Sequence, residues 1–397
     1  MRRTIAALLS LVLVFGLTAC GADGETASSA TSAPTVSTSA TGTSTEADRV
    51  TTTRRPVSQP SGATTTTTTT TGTMSKQEYL NQKKIDVVGS SADPKTWIYQ
   101  LGTDGVMVRE ATFDSGRGGA PVEIVQISDM HFNSVNGKDL EEQNPSIMAI
   151  KDHRKPMGAA RINAEKCLQY ASYFDQTVIT GDTIDFLTWG ALDMVKSIIW
   201  DKYPNTLITL GNHDSVRTWT FKGYVADTTT RESRYEILQD NWKHDIFYTS
   251  KVLGNKVLIV QMENGALTFN KDQIAKLKAD IATAKSKGYI ILLFFHVPIG
   301  TGKSEDAAVK PIRVTSQQTN KLNATDVNLR DADTLEMYNL ITNNADVIKG
   351  IFTGHVHNDH YVEVKAKTSD GQDAVIPQYV LAGSFYDNGH VLKITVK

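Results

Sequence analysis

Five short motifs contain the residues of this sequence whose types and spacing suit metal chemistry. They are, in chain order, Asp129-Met130-His131, Gly181-Asp182-Thr183-Ile184-Asp185, Gly211-Asn212-His213-Asp214, the single His296, and Gly354-His355-Val356-His357. Carboxylate, imidazole and amide groups are common ligands of metal ions. His355 and His357 are two residues apart, so in an extended segment both imidazoles lie on one side and can chelate one ion. The chemistry that these groups predict is metal binding and the activation of water by a bound cation.

Each motif directly follows a short apolar segment that we predict to be a β-strand. These strands are Glu123–Ile127, Thr177–Thr180, Thr206–Leu210, Tyr289–Phe295 and Val347–Phe352, and Lys256–Met262 is a sixth. Helical patterns lie between them at Arg161–Phe174, Leu192–Trp200, Lys271–Lys287 and Thr334–Thr342. Short apolar strands that alternate with helices predict a layered α/β fold in which helices cover the sheet faces. Further β-structure is predicted in a hairpin of Trp97–Leu101 with Val106–Val108, and in the C-terminal segment Tyr361–Lys397.

The position of the motifs at strand ends makes them informative as a set. Taken alone, Asp129 and Asp182 could each be a turn residue or a helix N-cap, and His296 could be a hydrogen-bonded histidine of the core. In open α/β sheets, ligands bind outside the carboxyl ends of the strands. Five strand ends that all carry metal-binding side chains therefore predict one metal cluster at one edge of the sheet.

The ordered set of motifs resembles that of the calcineurin-like metallophosphoesterase family. Asp-x-His, Gly-Asp-x-x-Asp, Gly-Asn-His-Asp, a lone histidine after an apolar strand, and Gly-His-x-His follow one another from Asp129 to His357. The resemblance implies a layered αββα sandwich with its metal site at the carboxyl ends of the strands. It also implies a phosphoric ester hydrolase with a dinuclear metal centre that acts on phosphate mono- or diesters.

The resemblance also implies a role for each motif residue. One metal ion would be bound by Asp129, His131, Asp182 and His357, and the second by Asp182, Asn212, His296 and His355. His213 would face the substrate as a catalytic group, and Asp214 would orient it through a hydrogen bond. Asp185 would bind no metal itself and would hold the metal ligands in position. Two cations clamp the oxygens of a phosphate ester and lower the pKa of a shared water, which supplies hydroxide near neutral pH.

The donor set also limits the identity of the metal ions. A mixture of nitrogen and oxygen ligands suits Mn, Fe, Zn or Ni better than Ca or Mg, and it does not choose among the four. In the purple acid phosphatase branch of the family, a metal-binding tyrosine stands where this chain has Asp185. A purple ferric centre is therefore not expected.

The N-terminus predicts export and lipidation. Arg2 and Arg3 precede the apolar run Ile5–Leu17, which is short for a membrane span and typical of a signal peptide, although an uncleaved anchor helix is the alternative. Leu17-Thr18-Ala19-Cys20 resembles the lipobox of bacterial lipoproteins, in which Cys20 would become the lipidated first residue. We predict a signal peptide over residues 1–19, a Ser/Thr-rich disordered tether from Cys20 to residue 75, and a phosphoesterase domain over residues 76–397. The expected location is the bacterial cell envelope, on the extracytoplasmic face of a membrane.

Composition limits the partners. The chain has 41 basic and 43 acidic residues and a formal net charge of -2, so no nucleic-acid partner is expected. The expected partners are a small phosphorylated substrate and a membrane surface reached through lipidated Cys20, while the oligomeric state stays open. Cys167 is predicted to be a buried apolar residue with no disulfide partner. Substrate choice is expected to depend on the loops Phe132–Met157, Ser215–Thr230 and Ile299–Asn328, in which Asn133 and Arg217 lie close to the motifs.

Two other functions fit the same motifs. The site could cleave another bond, such as a pyrophosphate, or the chain could be a non-catalytic surface-binding lipoprotein that retains the fold. The presence of both His213 and Asp214 favours an enzyme, because a site without turnover has no need of them. The sequence leaves the substrate and the choice between mono- and diesters open.

Overall fold

Two β-sheets packed face to face, with helices on their outer faces, position the five motifs. The computed structural model describes residues 106–142, 158–216, 229–300, 331–384 and 389–397. The predicted signal peptide, the tether with Cys20, the first strand of the predicted hairpin and Arg217 lie outside the described residues, as does nearly all of the loop Ile299–Asn328. Among the described helices, none is both long enough and apolar enough to cross a membrane.

The first sheet carries the motifs that begin at Asp129, Gly181 and Gly211. Its strands are β1 (Met107–Phe113), β2 (Val122–Ile127), β3 (Gln176–Thr180), β4 (Thr206–Thr209) and β11 (His390–Val396). Their order is β1-β11-β2-β3-β4. Strands β2, β3 and β4 are parallel, so the three motifs that follow them leave the sheet at the same edge. The C-terminal strand β11 pairs in parallel with β1 and antiparallel with β2.

The second sheet carries His296 and the motif that begins at Gly354. Its strands are β5 (Tyr248–Leu253), β6 (Val257–Met262), β7 (Ile290–Phe294), β8 (Ile348–Thr353), β9 (His360–Lys367) and β10 (Asp373–Val380). Their order is β5-β6-β7-β8-β10-β9, with β6, β7, β8 and β10 parallel and the two edge strands antiparallel to their neighbours. His296 and Gly354 therefore also follow parallel neighbours, β7 and β8, at one edge.

Apolar side chains from both sheets fill the space between them. Ile124 and Val178 of the first sheet belong to the same buried cluster as Phe294 and Phe352 of the second, and these two rings stack with centroids 4.8 Å apart. All five residues of β7 are buried, because helices cover the opposite face of its sheet. This continuous burial explains why the strands before the motifs are apolar runs rather than alternating patterns.

The helices complete the outer layers. They are α1 (Gly137–Glu141), α2 (Gly158–Ala171), α3 (Trp189–Met194), α4 (Arg231–Asn241), α5 (Lys271–Lys287) and α6 (Ala332–Thr342), and a π-helical turn, Val195–Trp200, continues α3. Helices α2, α3 and α4 pack on the first sheet, and α5 and α6 pack on the second. Helix α5 begins at a capping box of Asn270 and Gln273, and Gly288 ends it in the left-handed conformation.

The predicted layered αββα fold is confirmed, and the predicted strands and helices before and between the motifs are found within three residues of their expected ends. The turn predicted at residues 369–371 joins β9 to β10. Val106–Val108 lies at the start of β1, whose described partner is β11. Helix α4 was not predicted, because it directly follows the loop Ser215–Thr230 and has few apolar residues in a regular pattern.

Candidate metal centre

The predicted metal ligands come together in two groups at the carboxyl ends of the strands. Asp129, His131, Asp182 and His357 form the first group, and Asp182, His296 and His355 form the second. In each group, one ligand atom from every residue lies within 4.8 Å of those from the others. Asp182 belongs to both groups, so one buried carboxylate stands between two possible cation positions.

In the first group, the ligand atoms of the two histidines and of Asp129 face one another. The Nε2 atoms of His131 and His357 are 3.0 Å apart, and His357 Nε2 lies 3.3 Å from Asp129 Oδ1. His131 Nε2 lies 3.8 Å from Asp182 Oδ2. A single cation could be shared by these four side chains.

In the second group, His296 Nε2 is the central atom. It lies 3.1 Å from Asp182 Oδ2, 3.1 Å from Asn212 Oδ1 and 3.1 Å from His355 Nδ1. The opposite ring nitrogen, His296 Nδ1, lies 2.8 Å from the carbonyl oxygen of Thr180. Because a carbonyl oxygen only accepts, the proton of a neutral His296 sits on Nδ1, which leaves the Nε2 lone pair for a metal ion.

The charges of the cluster fit a cation. Burial raises the pKa of Asp182, but the neighbouring imidazoles of His296 and His213 hold it well below its usual range. Despite burial, Asp182 raises the pKa of His296 to about 9, which shows how strongly this carboxylate attracts positive charge. Burial, together with the adjacent His296, lowers the pKa of His355 to about 3, so this imidazole is neutral and has a free lone pair. Metal binding requires ionised carboxylates and neutral imidazoles, so His355 is ready to bind a cation and His296 would release its proton when one binds.

The backbone of the ligands is strained. Among the described residues, the non-glycine positions with positive φ are Asp129, His131, Asp182, Asn255, Leu267, His355 and His357. Five of these seven are predicted ligands, with φ between 47° and 76°. Non-glycine residues rarely adopt this left-handed conformation, and it persists where the surroundings impose it, most often at functional sites. The sharp turns after the strands therefore aim these side chains into the cluster.

Two glycines leave room for the carboxylates. A Cβ atom on Gly211 would collide with Asp182 Oδ1, and one on Gly354 would collide with the Ser128 hydroxyl and with Asp129 Oδ2. Any side chain at either position would displace the carboxylate that it faces. The glycines of these two motifs are thus required by the close approach of the ligands as well as by the turns.

The family model described as calcineurin-like phosphoesterase matches residues 122–359, more than half of the chain. The chain belongs to the calcineurin-like phosphoesterase family. It is therefore a phosphoric ester hydrolase, and its family implies divalent metal ions. The predicted resemblance is confirmed.

Solved structures with a similar fold include phosphatases. A dimetal phosphatase from Danio rerio is 11% identical, with a TM-score of 0.40 over 66% of this chain and 88% of that one. A purple acid phosphatase from yellow lupin (Lupinus luteus) seeds is 10% identical, with a TM-score of 0.40 over 66% of this chain and 44% of that one. None of the curated proteins compared with the sequence matches it.

In this phosphoesterase, Asp185 rather than Asp214 orients His213, which corrects the sequence-based prediction. His213 Nδ1 lies 3.0 Å from Asp185 Oδ1 and 3.1 Å from the Asp185 carbonyl oxygen. The same carboxylate oxygen lies 3.3 Å from Nδ1 of the predicted ligand His131. Asp185 therefore fixes two imidazoles at once, with each Nε2 directed toward the cluster.

Asp214 instead holds the backbone of two motifs together. Its Oδ2 accepts from the amide of Gly211 at 2.7 Å, and its Oδ1 accepts from the amide of Ile184 at 2.9 Å. Burial, together with the charge of Asp182, raises the pKa of Asp214 to about 7. The hydrogen bond between Asp214 and His213 that the family resemblance implied is not found among the described contacts, because the neighbouring side chains 213 and 214 contact different groups.

Two supporting residues, Asn264 and Ser128, were not predicted from the sequence. Asn264, after β6, accepts with Oδ1 from the amides of His296 and Val297 and donates to the Val297 carbonyl, which fixes the chain where β7 ends. Ser128 donates to Asp129 Oδ2 at 2.5 Å. Asn133, which was predicted to lie close to the motifs, donates to Asp185 Oδ2 at 3.4 Å. The available signal was a polar residue just after an apolar strand, since Ser128 directly follows β2 and Asn264 lies two residues after β6.

Proposed function

We propose that the chain hydrolyses phosphate mono- or diesters with two metal ions. The observation that supports this most is the position of Asp182, whose carboxylate belongs to both ligand groups. In the proposed assignment, Asp129, His131, Asp182 and His357 bind one ion, and Asp182, Asn212, His296 and His355 bind the other. Manganese, iron, zinc and nickel all suit this donor set.

The chemistry divides between the ions and the protein. When bound, two such ions neutralise the phosphate oxygens and activate a water molecule for in-line attack. The strained turns support this assignment, as do the contacts of Asp185 with His131 and of the Thr180 carbonyl with His296, because they hold the imidazoles in place.

His213 is the proposed group that acts on the leaving oxygen. Its Nε2 lies 3.9 Å from Asp182 Oδ2, beside both ligand groups, and its side chain is 18% exposed and so accessible to a substrate. Burial lowers its pKa, but the carboxylates of Asp182 and Asp185 outweigh burial and raise it above the ordinary value. A protonated His213 can stabilise the negative charge that develops on the leaving oxygen, or transfer its proton from Nε2 to that oxygen.

Hydrolysis of nitrophenyl phosphate mono- and diesters and of pyrophosphate, each with added Mn²⁺, tests this function. We expect metal-dependent release of nitrophenol from at least one ester, and its loss in the variants Asp182→Asn and His213→Ala. Hydrolysis of pyrophosphate alone would identify a pyrophosphate-bond hydrolase. Absence of hydrolysis of all three compounds by metal-loaded protein would instead support a non-catalytic surface-binding lipoprotein and refute the proposal.

We also propose that the enzyme acts outside the cytoplasmic membrane, anchored by a lipid on Cys20. The support is the apolar run Ile5–Leu17 followed by the lipobox-like segment that ends in Cys20. Metabolic labelling with a radioactive fatty acid tests this in a bacterial host. We expect label in the membrane fraction for the wild type and none for Cys20→Ala. An unlabelled wild-type chain would contradict the anchor and leave the catalytic proposal intact.

A further inference from the structure

We propose that Asp359 is a positioning residue for His355 and His357, and that the buried residues Arg109 and His390 hold it in place. This inference rests on the proposed function, because it assumes that both histidines bind metal. We refer to Arg109, Asp359 and His390 as the anchor cluster. It lies outside the five motifs.

The anchor cluster joins distant parts of the chain beneath the metal centre. Arg109 Nη2 forms an ion pair with Asp359 Oδ2, and His390 Nδ1 lies 3.3 Å from the same oxygen. The other carboxylate oxygen, Oδ1, accepts from the amide of Ala382 at 2.9 Å. Arg109 is on β1, His390 begins β11, and Ala382 follows β10, so one carboxylate connects both sheets.

Asp359 ends the short segment that carries two proposed ligands. The segment begins at Gly354, whose amide donates to the His296 carbonyl at 3.0 Å, and the amide of His355 donates to both carboxylate oxygens of Asp129. Asp359 secures the other end, two residues after His357 and directly before β9. His355 and His357 are both in the left-handed conformation, which a loosely held segment would not retain. The two ends of the segment are thus fixed by different carboxylates, Asp129 and Asp359.

The anchor cluster also reaches the first ligand, Asp129. Ala382, which donates to Asp359, is close in sequence to Ser384, and the Ser384 amide donates to the Ser128 carbonyl at 2.9 Å. Ser128 in turn donates its hydroxyl to Asp129. A shift of Asp359 would therefore be transmitted along two routes, one through residues 354–358 and the other through residues 382–384.

Stability alone does not explain a buried charged cluster at this position. The side chains of Arg109 and Asp359 are only 2% and 7% exposed, and desolvation of such an ion pair offsets much of the attraction between its charges. Apolar residues of similar volume would often stabilise a core at least as well. A charged cluster instead imposes a fixed geometry. The anchor cluster fixes the segment that joins the two proposed histidine ligands to β9.

Mn²⁺ binding by the metal-free full chain, followed by electron paramagnetic resonance, tests this inference without turnover. The test variants are Asp359→Asn and the milder His390→Gln, which leaves the ion pair of Arg109 and Asp359 in place. The control is Gln176→Leu. Gln176 is a buried residue at the opposite, amino end of β3 that donates to two backbone carbonyls and accepts from Lys251.

We expect the dissociation constant for Mn²⁺ to rise about 10- to 100-fold in Asp359→Asn, as for other residues that support metal ligands, and by less in His390→Gln. The control should lose thermal stability without losing Mn²⁺ affinity. If Asp359→Asn does not fold, weaker Mn²⁺ binding by His390→Gln carries the conclusion. Mn²⁺ binding by both variants that is as tight as in the wild type, with a melting temperature lowered as in the control, would overturn the inference and leave a purely structural cluster.

Failure of the proposed function gives a different result. A wild-type chain that binds Mn²⁺ but hydrolyses no substrate would refute the hydrolytic proposal, while weaker binding by Asp359→Asn would still support the positioning role. A wild-type chain that binds no Mn²⁺ would overturn both.

Discussion

Replacement of Asp185 by Asn should lower turnover, because it weakens the contact that orients His213. The carboxylate contacts two imidazoles, at 3.0 Å from His213 Nδ1 and 3.3 Å from His131 Nδ1. A hydrogen bond to a charged group contributes about 1.5–3 kcal/mol. At about 1.36 kcal/mol per factor of ten, loss of the His213 contact alone should lower kcat/KM by about 10- to 150-fold.

The assay is hydrolysis of the best nitrophenyl ester at saturating Mn²⁺, so that weaker metal binding through His131 does not contribute. Asp185→Asn is measured alone and in a His213→Ala background, and Asp214→Asn is measured in the same two ways. Residues that act through one group are non-additive in such a cycle. We expect the effect of Asp185→Asn to shrink sharply when His213 is absent and the effect of Asp214→Asn to persist, because Asp214 contacts only backbone amides among the bonds described for it.

The opposite pattern would refute the assignment. If Asp214→Asn lost its effect in the His213→Ala background while Asp185→Asn kept its own, Asp214 would be the residue that orients His213. The contacts of Asp185 described above would then not be those of the active enzyme.

Three further predictions concern the surroundings of the centre. Gly354→Ala should abolish tight Mn²⁺ binding in a titration, because the added Cβ would displace the Asp129 carboxylate; unchanged affinity would contradict the close packing. Asn264→Ala should raise the Mn²⁺ dissociation constant about 10- to 100-fold by releasing the backbone of His296, and Mn²⁺ binding equal to that of the wild type would show that β7 alone places this ligand. The third prediction concerns pH. Burial lowers the pKa of His244 below its ordinary 6.5, and its Nε2 accepts a backbone amide of β4. Below pH 6.5 the unfolded chain therefore binds a proton that the folded chain does not. The free energy of unfolding consequently decreases as the pH is lowered. His244→Gln should reduce this fall in urea denaturation between about pH 7 and 5; an identical slope would exclude His244.

The strands and the convergence of the ligands could be predicted from the sequence because both depend on local patterns. Strands buried on both faces are apolar runs, and the motifs directly follow them. Parallel neighbours deliver the residues after their carboxyl ends to one edge, so Asp129 and Asp182 had to be close once β2 and β3 were assigned, whereas His296 reaches them from the second sheet. The grouping of these residues about a shared Asp182 in the structure agrees with that expectation.

Side-chain partners could not be predicted in the same way, because they depend on the direction of each side chain in a tight turn. Asp185 and Asp214 are both carboxylates near His213, and only the backbone geometry distinguishes the one that contacts the ring. The anchor cluster was missed for a different reason. Arg109 and Asp359 are 250 residues apart, and neither lies in a recognisable pattern that would predict their contact.

The measurement that tests the central claim most directly is the metal content of the Mn²⁺-loaded full chain after dialysis, determined by inductively coupled plasma mass spectrometry. We expect two ions per chain in the wild type and one in Asn212→Ala, since this amide is proposed to bind only one of the ions. We expect fewer than one ion per chain in Asp182→Ala, because Asp182 belongs to both groups. A wild-type chain with a single ion, or an Asp182→Ala variant that still retained two, would contradict the shared-carboxylate centre.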